Sequence, residues 1–121
     1  MKKLLVFALL VLPMTIFGQT QSQMNAQASK DYAKADKELN VVYQQVMKKY
    51  VKNTLFTKYM KTAQQRWIEF RDAEFKAAMP HFEQGNTYYG TMFSLEKSTF
   101  YKGLTVERTK TLKKILKDGP K

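Results

Sequence analysis

The sequence predicts an all-α fold: an antiparallel bundle of three long helices, the third open to a break near Gly103. Three observations carry this. No glycine or proline occurs between residues 19 and 79. Apolar side chains recur at steps of three and four rather than two, the period of a helix with one buried face. The residues that break helices are collected into a few places: Asn53-Thr54, Pro80, the segment GNTYYG at 85–90, and Gly119-Pro120.

Each helix has its own pattern. From Ala28 the stripe runs Ala28, Tyr32, Ala35, Leu39, Val42, Val46 and then Met47 or Tyr50, with lysines at 30, 34, 37, 48, 49 and 52 on the other faces. This predicts a first helix over 24–50. Asn53-Thr54 supplies a break and an N-cap. A second stripe follows at Phe56, Met60, Ala63, Trp67, Phe70 and Ala77. Pro80 lacks an amide proton and disfavours helix in the residue before it, so the second helix is expected to end between 78 and 82. Segment 85–90 is the clearest loop. The third helical region is expected over 91–117, with Phe93, Phe100, Leu104, Leu112, Ile115 and Leu116 in the core. Gly103 weakens its middle, and Thr105 is placed to cap a fresh start there.

The first eighteen residues have the order of a secretory signal peptide. Lys2 and Lys3 precede nine unbroken apolar residues, 4–12; then come Pro13, Gly18 and the polar run QTQSQ. Nine residues are too few to span a bilayer. Cleavage is expected after Gly18, leaving one domain over 19–121, exported to periplasm or medium, with no transmembrane span of its own. The chain has no cysteine. That excludes a lipid anchor on a leader cysteine, thiol catalysis, thiolate metal sites and disulfides; a domain this small must then hold by packing alone.

Twenty-one Lys and Arg stand against ten acids in 121 residues, a net charge of +11. Without Lys2 and Lys3 the balance is +9. Such a charge favours anionic partners: acidic envelope glycans, lipid surfaces, or nucleic acid, the last made unattractive by export. Catalysis finds little support. His81, beside Pro80, is the only histidine. Glu69, Asp72 and Glu74 are close in sequence, but 72 and 74 diverge around a helix. No cluster has metal-ligand spacing, and no cofactor is expected.

Three short motifs remain. They are Ala35-Asp36-Lys37-Glu38-Leu39-Asn40 in the first helix, AQQRWIEFRDAEF at 63–75 in the second, and Thr105-Val106-Glu107-Arg108-Thr109 in the third. In order and spacing they resemble the LprI-like lysozyme-inhibitor family of small exported helical domains, over residues 21–116. Leu39 and Ala35 belong to the buried stripe, with Asp36 and Asn40 beside it. Trp67 and Phe70 are expected to point inward. Arg71 is suited to pair with Asp36 across the helix interface, because its planar fork matches a carboxylate; Asp72 is similarly placed to meet Arg108. Spread over three helices, these charges read better as register-fixing pairs than as a grip on a partner.

The resemblance implies cysteines that this chain lacks. Where the family usually carries them, the sequence has Gln27, Phe75 and Phe100. The latter two positions ordinarily form a disulfide between the second and third helices, whose loss costs typically ~2–4 kcal/mol. Two facing rings return part of that, which predicts contact between Phe75 and Phe100.

For function, the resemblance implies a non-enzymatic protein that binds lysozyme, or another cell-wall hydrolase, and blocks its cleft. The anchors expected for this are Tyr88 and Tyr89 in the 84–90 loop, since tyrosines favour interfaces. Charge opposes this, because common animal lysozymes are themselves basic. The alternative is a binding module for anionic envelope glycans or lipids. It would use Lys48, Lys49, Lys52, Lys58 and Lys61 around the first turn with Lys110, Lys113, Lys114 and Lys117 on the last helix.

Overall fold

A computed structural model describes residues 20–121. Within them every regular element is helical: α1 (Gln21–Lys49), α2 (Thr54–Ala78), a 3-10 turn (Phe82–Gln84), the single turn α3 (Asn86–Tyr89) and α4 (Phe93–Asp118). The proposed leader, residues 1–18, lies outside the described residues.

Helix α1 starts three residues earlier than its apolar stripe indicates, because a capping box sits there. The Thr20 hydroxyl accepts from the Gln23 amide at 3.2 Å, and the Gln23 side-chain oxygen accepts from the Thr20 amide at 3.1 Å. Both bonds satisfy donors that a helix start leaves orphaned. Asn53 caps α2 by accepting from the Phe56 amide at 3.0 Å. Helix α4 runs unbroken through Gly103, and Thr105 caps nothing. An interior glycine costs about 1 kcal/mol relative to alanine, too little to break a helix held on both sides of it by packed residues. At its end Gly119 takes φ +73°, and a Cβ there would stand 2.9 Å from the Tyr50 hydroxyl. Only glycine suits both demands.

Side-chain contacts set the register. Asn25 donates to the Thr91 carbonyl near the start of α4; at the other end Lys49 and Tyr50 donate to the Leu116 carbonyl at 2.8 and 3.0 Å. Helices α1 and α4 therefore run side by side in the same direction. Between them lie Ala35, Leu39, Val42 and Val46 from α1, and Thr105, Thr109 and Leu112 from α4, all buried. Small and β-branched residues on this seam let the two backbones approach closely. Helix α2 stands further off, connected through long side chains.

The buried face of α2 differs from the stripe read in the sequence. It runs Phe56, Met60, Gln64, Trp67, Arg71, Phe75 and Met79, steps of four and three throughout. Phe70 does not point inward: it is 51% exposed. Ala63 and Ala77 are exposed as well. The apolar pattern missed the true face because two of its places are held by Gln64 and Arg71. The interior has two storeys. An aliphatic one, Leu39, Val42, Val46, Met60 and Leu112, lies toward the α1–α2 turn. An aromatic one centred on Phe75 lies toward the α2–α4 connection, touching Phe82, Phe93, Phe100 and Tyr101.

Candidate functional site

Arg71 joins the two storeys. Its side chain is 11% exposed, and one terminal nitrogen donates to the Thr105 hydroxyl at 3.2 Å and to Asp36 at 3.5 Å. The guanidinium also lies 5.0 Å from the Trp67 ring, 5.1 Å from that of Tyr101 and 5.9 Å from that of Tyr32. One cation thus ties α2 to α1 and α4 inside a box of three aromatic faces, an arrangement that suits a flat, weakly hydrated ion.

Asp72 and Arg108 do not meet. Arg108 donates from Nε to Gln64 at 2.9 Å and lies 5.9 Å from the Trp67 ring; Asp72 accepts from the Tyr101 hydroxyl at 3.0 Å. Gln64 precedes Asp72 by eight residues, roughly 12 Å along a helix, so one arginine cannot serve both. Burial pulls the Arg108 pKa below its ordinary value, which fits a guanidinium bonded to a neutral amide rather than a carboxylate. Leu39 is 2% exposed and packs in the aliphatic storey, while Asn40 faces solvent.

Phe75 and Phe100 are in contact, their ring centroids 5.9 Å apart. Tyr101 closes the same storey at 5.2 Å from Phe75. Burial, and then its bond to the Asp72 carboxylate, push the Tyr101 hydroxyl up to about 12; burial raises Tyr32 as well. The folded protein thus holds these protons more tightly than the unfolded chain, whose tyrosines titrate near ~10. That stabilisation is complete below the unfolded value and is lost as pH rises through the folded one. Thermal stability is expected to fall across this alkaline window, and to fall less steeply in Tyr101→Phe, as thermal melts at stepped pH would show.

The 84–90 segment is less open than its glycines imply. Tyr89 is tucked in: its ring stacks on Phe93 at 5.7 Å, and its hydroxyl accepts from the His81 amide at 3.0 Å. Its ring is half-buried because α3 turns it back toward the aromatic storey. Tyr88 remains outside, stacked on the His81 ring at 4.0 Å.

At the opposite end the contact of Lys49 with Leu116 brings the α1–α2 turn and the end of α4 together. Lys113 is engaged by Glu38 at 2.7 Å, which lowers the Glu38 pKa, and Lys110 by Glu107 at 3.0 Å. Lys48, Lys52 and Lys114 are exposed. The charge is strongly partitioned. Residues 44–63 and 110–121 carry ten lysines against one acid, Asp118. The other described residues, 20–43 and 64–109, carry nine bases and nine acids. The whole excess of +9 sits at one end of the molecule, in less than a third of the described residues. Sequence reading found the lysines, but the balance of the rest needed the helix register.

The molecule is a helical bundle whose signature charges are mostly spent on internal junctions and whose excess positive charge is gathered at one end. Residues 17–112 match the family described as Lysozyme inhibitor LprI. That is most of the chain, and the chain belongs to this family. Searches of curated proteins and of solved structures returned no match.

Proposed function

We propose that this chain is an exported, single-domain, non-enzymatic inhibitor that binds lysozyme and covers its cleft with the end formed by residues 79–92. In this reading the three long helices run up, down and up, with α2 antiparallel to its neighbours, and this end lies opposite the lysine-rich one. Export rests on the leader-like residues 1–18, and no described helix is long and apolar enough to cross a membrane. The observation that carries the reading, beside family membership, is the charge partition. A basic enzyme would be repelled by the lysine end but meets a balanced surface at the other, where Glu83 and the exposed Tyr88 offer an acid and an aromatic anchor.

The test is clearance of a peptidoglycan suspension by lysozyme, with and without the mature protein, across substrate amounts and salt. Cleft blocking survives excess substrate and physiological salt. Tyr88→Ser is expected to weaken inhibition roughly tenfold, as loss of an interface anchor does, with the fold intact because Tyr88 is exposed, stacked on His81 and edge-on to Tyr89. Unchanged inhibition by Tyr88→Ser removes this end as the binding surface.

A second reading is favoured by the lysine end: the partner is an anionic envelope surface, glycan or lipid, and inhibition arises from coating the wall. Inhibition that vanishes with salt or scales with substrate supports it over cleft blocking.

A further inference from the structure

The lysine end also holds the three most exposed large apolar side chains of the described residues. Val51 is 62%, Leu55 63% and Tyr59 62% exposed. Val51 stands in the α1–α2 turn, and Leu55 and Tyr59 share one face of the first turns of α2, being four residues apart. Lys48, Lys52 and Lys58 are interleaved with them, and the Lys58 ammonium lies 5.7 Å from the Tyr59 ring.

We propose that this end docks on the surface of an anionic lipid bilayer, with Val51, Leu55 and Tyr59 entering the headgroup boundary and the lysines lying among the phosphates. The inference rests on the second reading above and names the source of the anionic charge. Apolar tips ringed by ammonium groups match an interface that is charged outside and apolar just beneath. A soluble glycan supplies the charge but no apolar phase, so it leaves these side chains in water. A second copy of the chain would set one lysine-rich end against another, at a cost in repulsion. Tyrosine suits the boundary because its ring is apolar and its hydroxyl wet, and lysine stems reach along apolar surface while their heads stay hydrated. No described helix can span a membrane, so the attachment is peripheral. The balanced end then points away from the bilayer.

The experiment is flotation of the mature protein with vesicles of phosphatidylcholine alone and of an equal mixture with phosphatidylglycerol, at low and physiological salt, beside binding to immobilised dextran sulfate. Binding is expected to the anionic vesicles only. Leu55→Ser with Tyr59→Ser, which leaves the charge unchanged, is expected to lose vesicle binding by about tenfold while keeping dextran sulfate binding. Lys52→Glu with Lys58→Glu is expected to lose both, roughly fivefold or more per lysine. Circular dichroism melts confirm that the variants fold. Vesicle binding unaffected by the serine pair overturns the inference. Retention on dextran sulfate without vesicle binding also overturns it but leaves the anionic-surface reading standing. Binding to neither removes both.

Discussion

Phe75→Ala is expected to cost about 3–5 kcal/mol of folding stability, the range for a truncated core aromatic, and to be among the most damaging single changes in the protein. Phe75 is 3% exposed and touches four other rings from two segments: Phe82 of the 3-10 turn, and Phe93, Phe100 and Tyr101 of α4. Removing it leaves a cavity that rings fixed by their own helices cannot fill. The chain has no cysteine, so no covalent tie holds α2 and α4 together once the aromatic storey is hollowed. Domains of this size are stable by about 5–15 kcal/mol in all, and the loss is therefore a large share of the total. Phe100→Ala should cost less, because Phe100 is only half-buried. Urea unfolding followed by far-ultraviolet circular dichroism measures both. Equal costs for the two would mean that the pair, rather than Phe75 as a hub, holds this storey.

Arg71→Ala is expected to cost about 2–4 kcal/mol, while Asp36→Ala costs under about 1 kcal/mol. The asymmetry follows from exposure. The Asp36 side chain is 41% exposed and is rehydrated when its partner goes, whereas Thr105 is fully buried and loses the donor to its hydroxyl. The aromatic faces of Trp67, Tyr101 and Tyr32 lose the flat cation between them too. Arg71→Lys should recover little, since a compact ammonium neither forks nor stacks as guanidinium does. A double-mutant cycle of Arg71→Met with Thr105→Val isolates the coupling. If Asp36→Ala proves as costly as Arg71→Ala, the ion pair and not the buried junction is what secures this level of the bundle.

Much of the fold was legible in the sequence because its helices are long and their punctuation is unambiguous. The absence of glycine and proline from 19 to 79, the Asn53 cap and the Gly119 stop each act locally, and local causes can be read from a string. The stripe of α1 was read correctly because Leu39, Val42 and Val46 are apolar. That of α2 was not, because Gln64 and Arg71 occupy inward places and Phe70 an outward one. Thr105 and Thr109 were missed for the same reason. Thr109 donates to the Thr105 carbonyl within its own helix at 3.0 Å, and Thr105 accepts from Arg71, so both can be buried without unmet polarity. Such satisfaction depends on neighbours distant in sequence. The regular spacing of 105, 109, 112 and 116 was the one available signal.

The candidate site was legible in composition but not in arrangement. The exposed lysines and the Arg71–Asp36 contact were readable from residue type and helix position. The actual partners of Asp72 and Arg108, which are Tyr101 and Gln64, were not, because they depend on the vertical offset between α2 and α4. The inward turn of Tyr89 depends on α3, a helical turn too short to announce itself by periodicity.

The unequal intimacy of the three long helices has a mechanical consequence. Threonine, alanine and valine zip α1 and α4 together backbone to backbone, whereas α2 is moored to them by the outstretched side chains of Met60, Trp67, Arg71 and Phe75. A tug on the molecule, or a brief thermal excursion, should detach α2 before it separates the other two. Amide protons along α1 from Ala35 to Val46 are then expected to exchange with deuterium more slowly than those of α2.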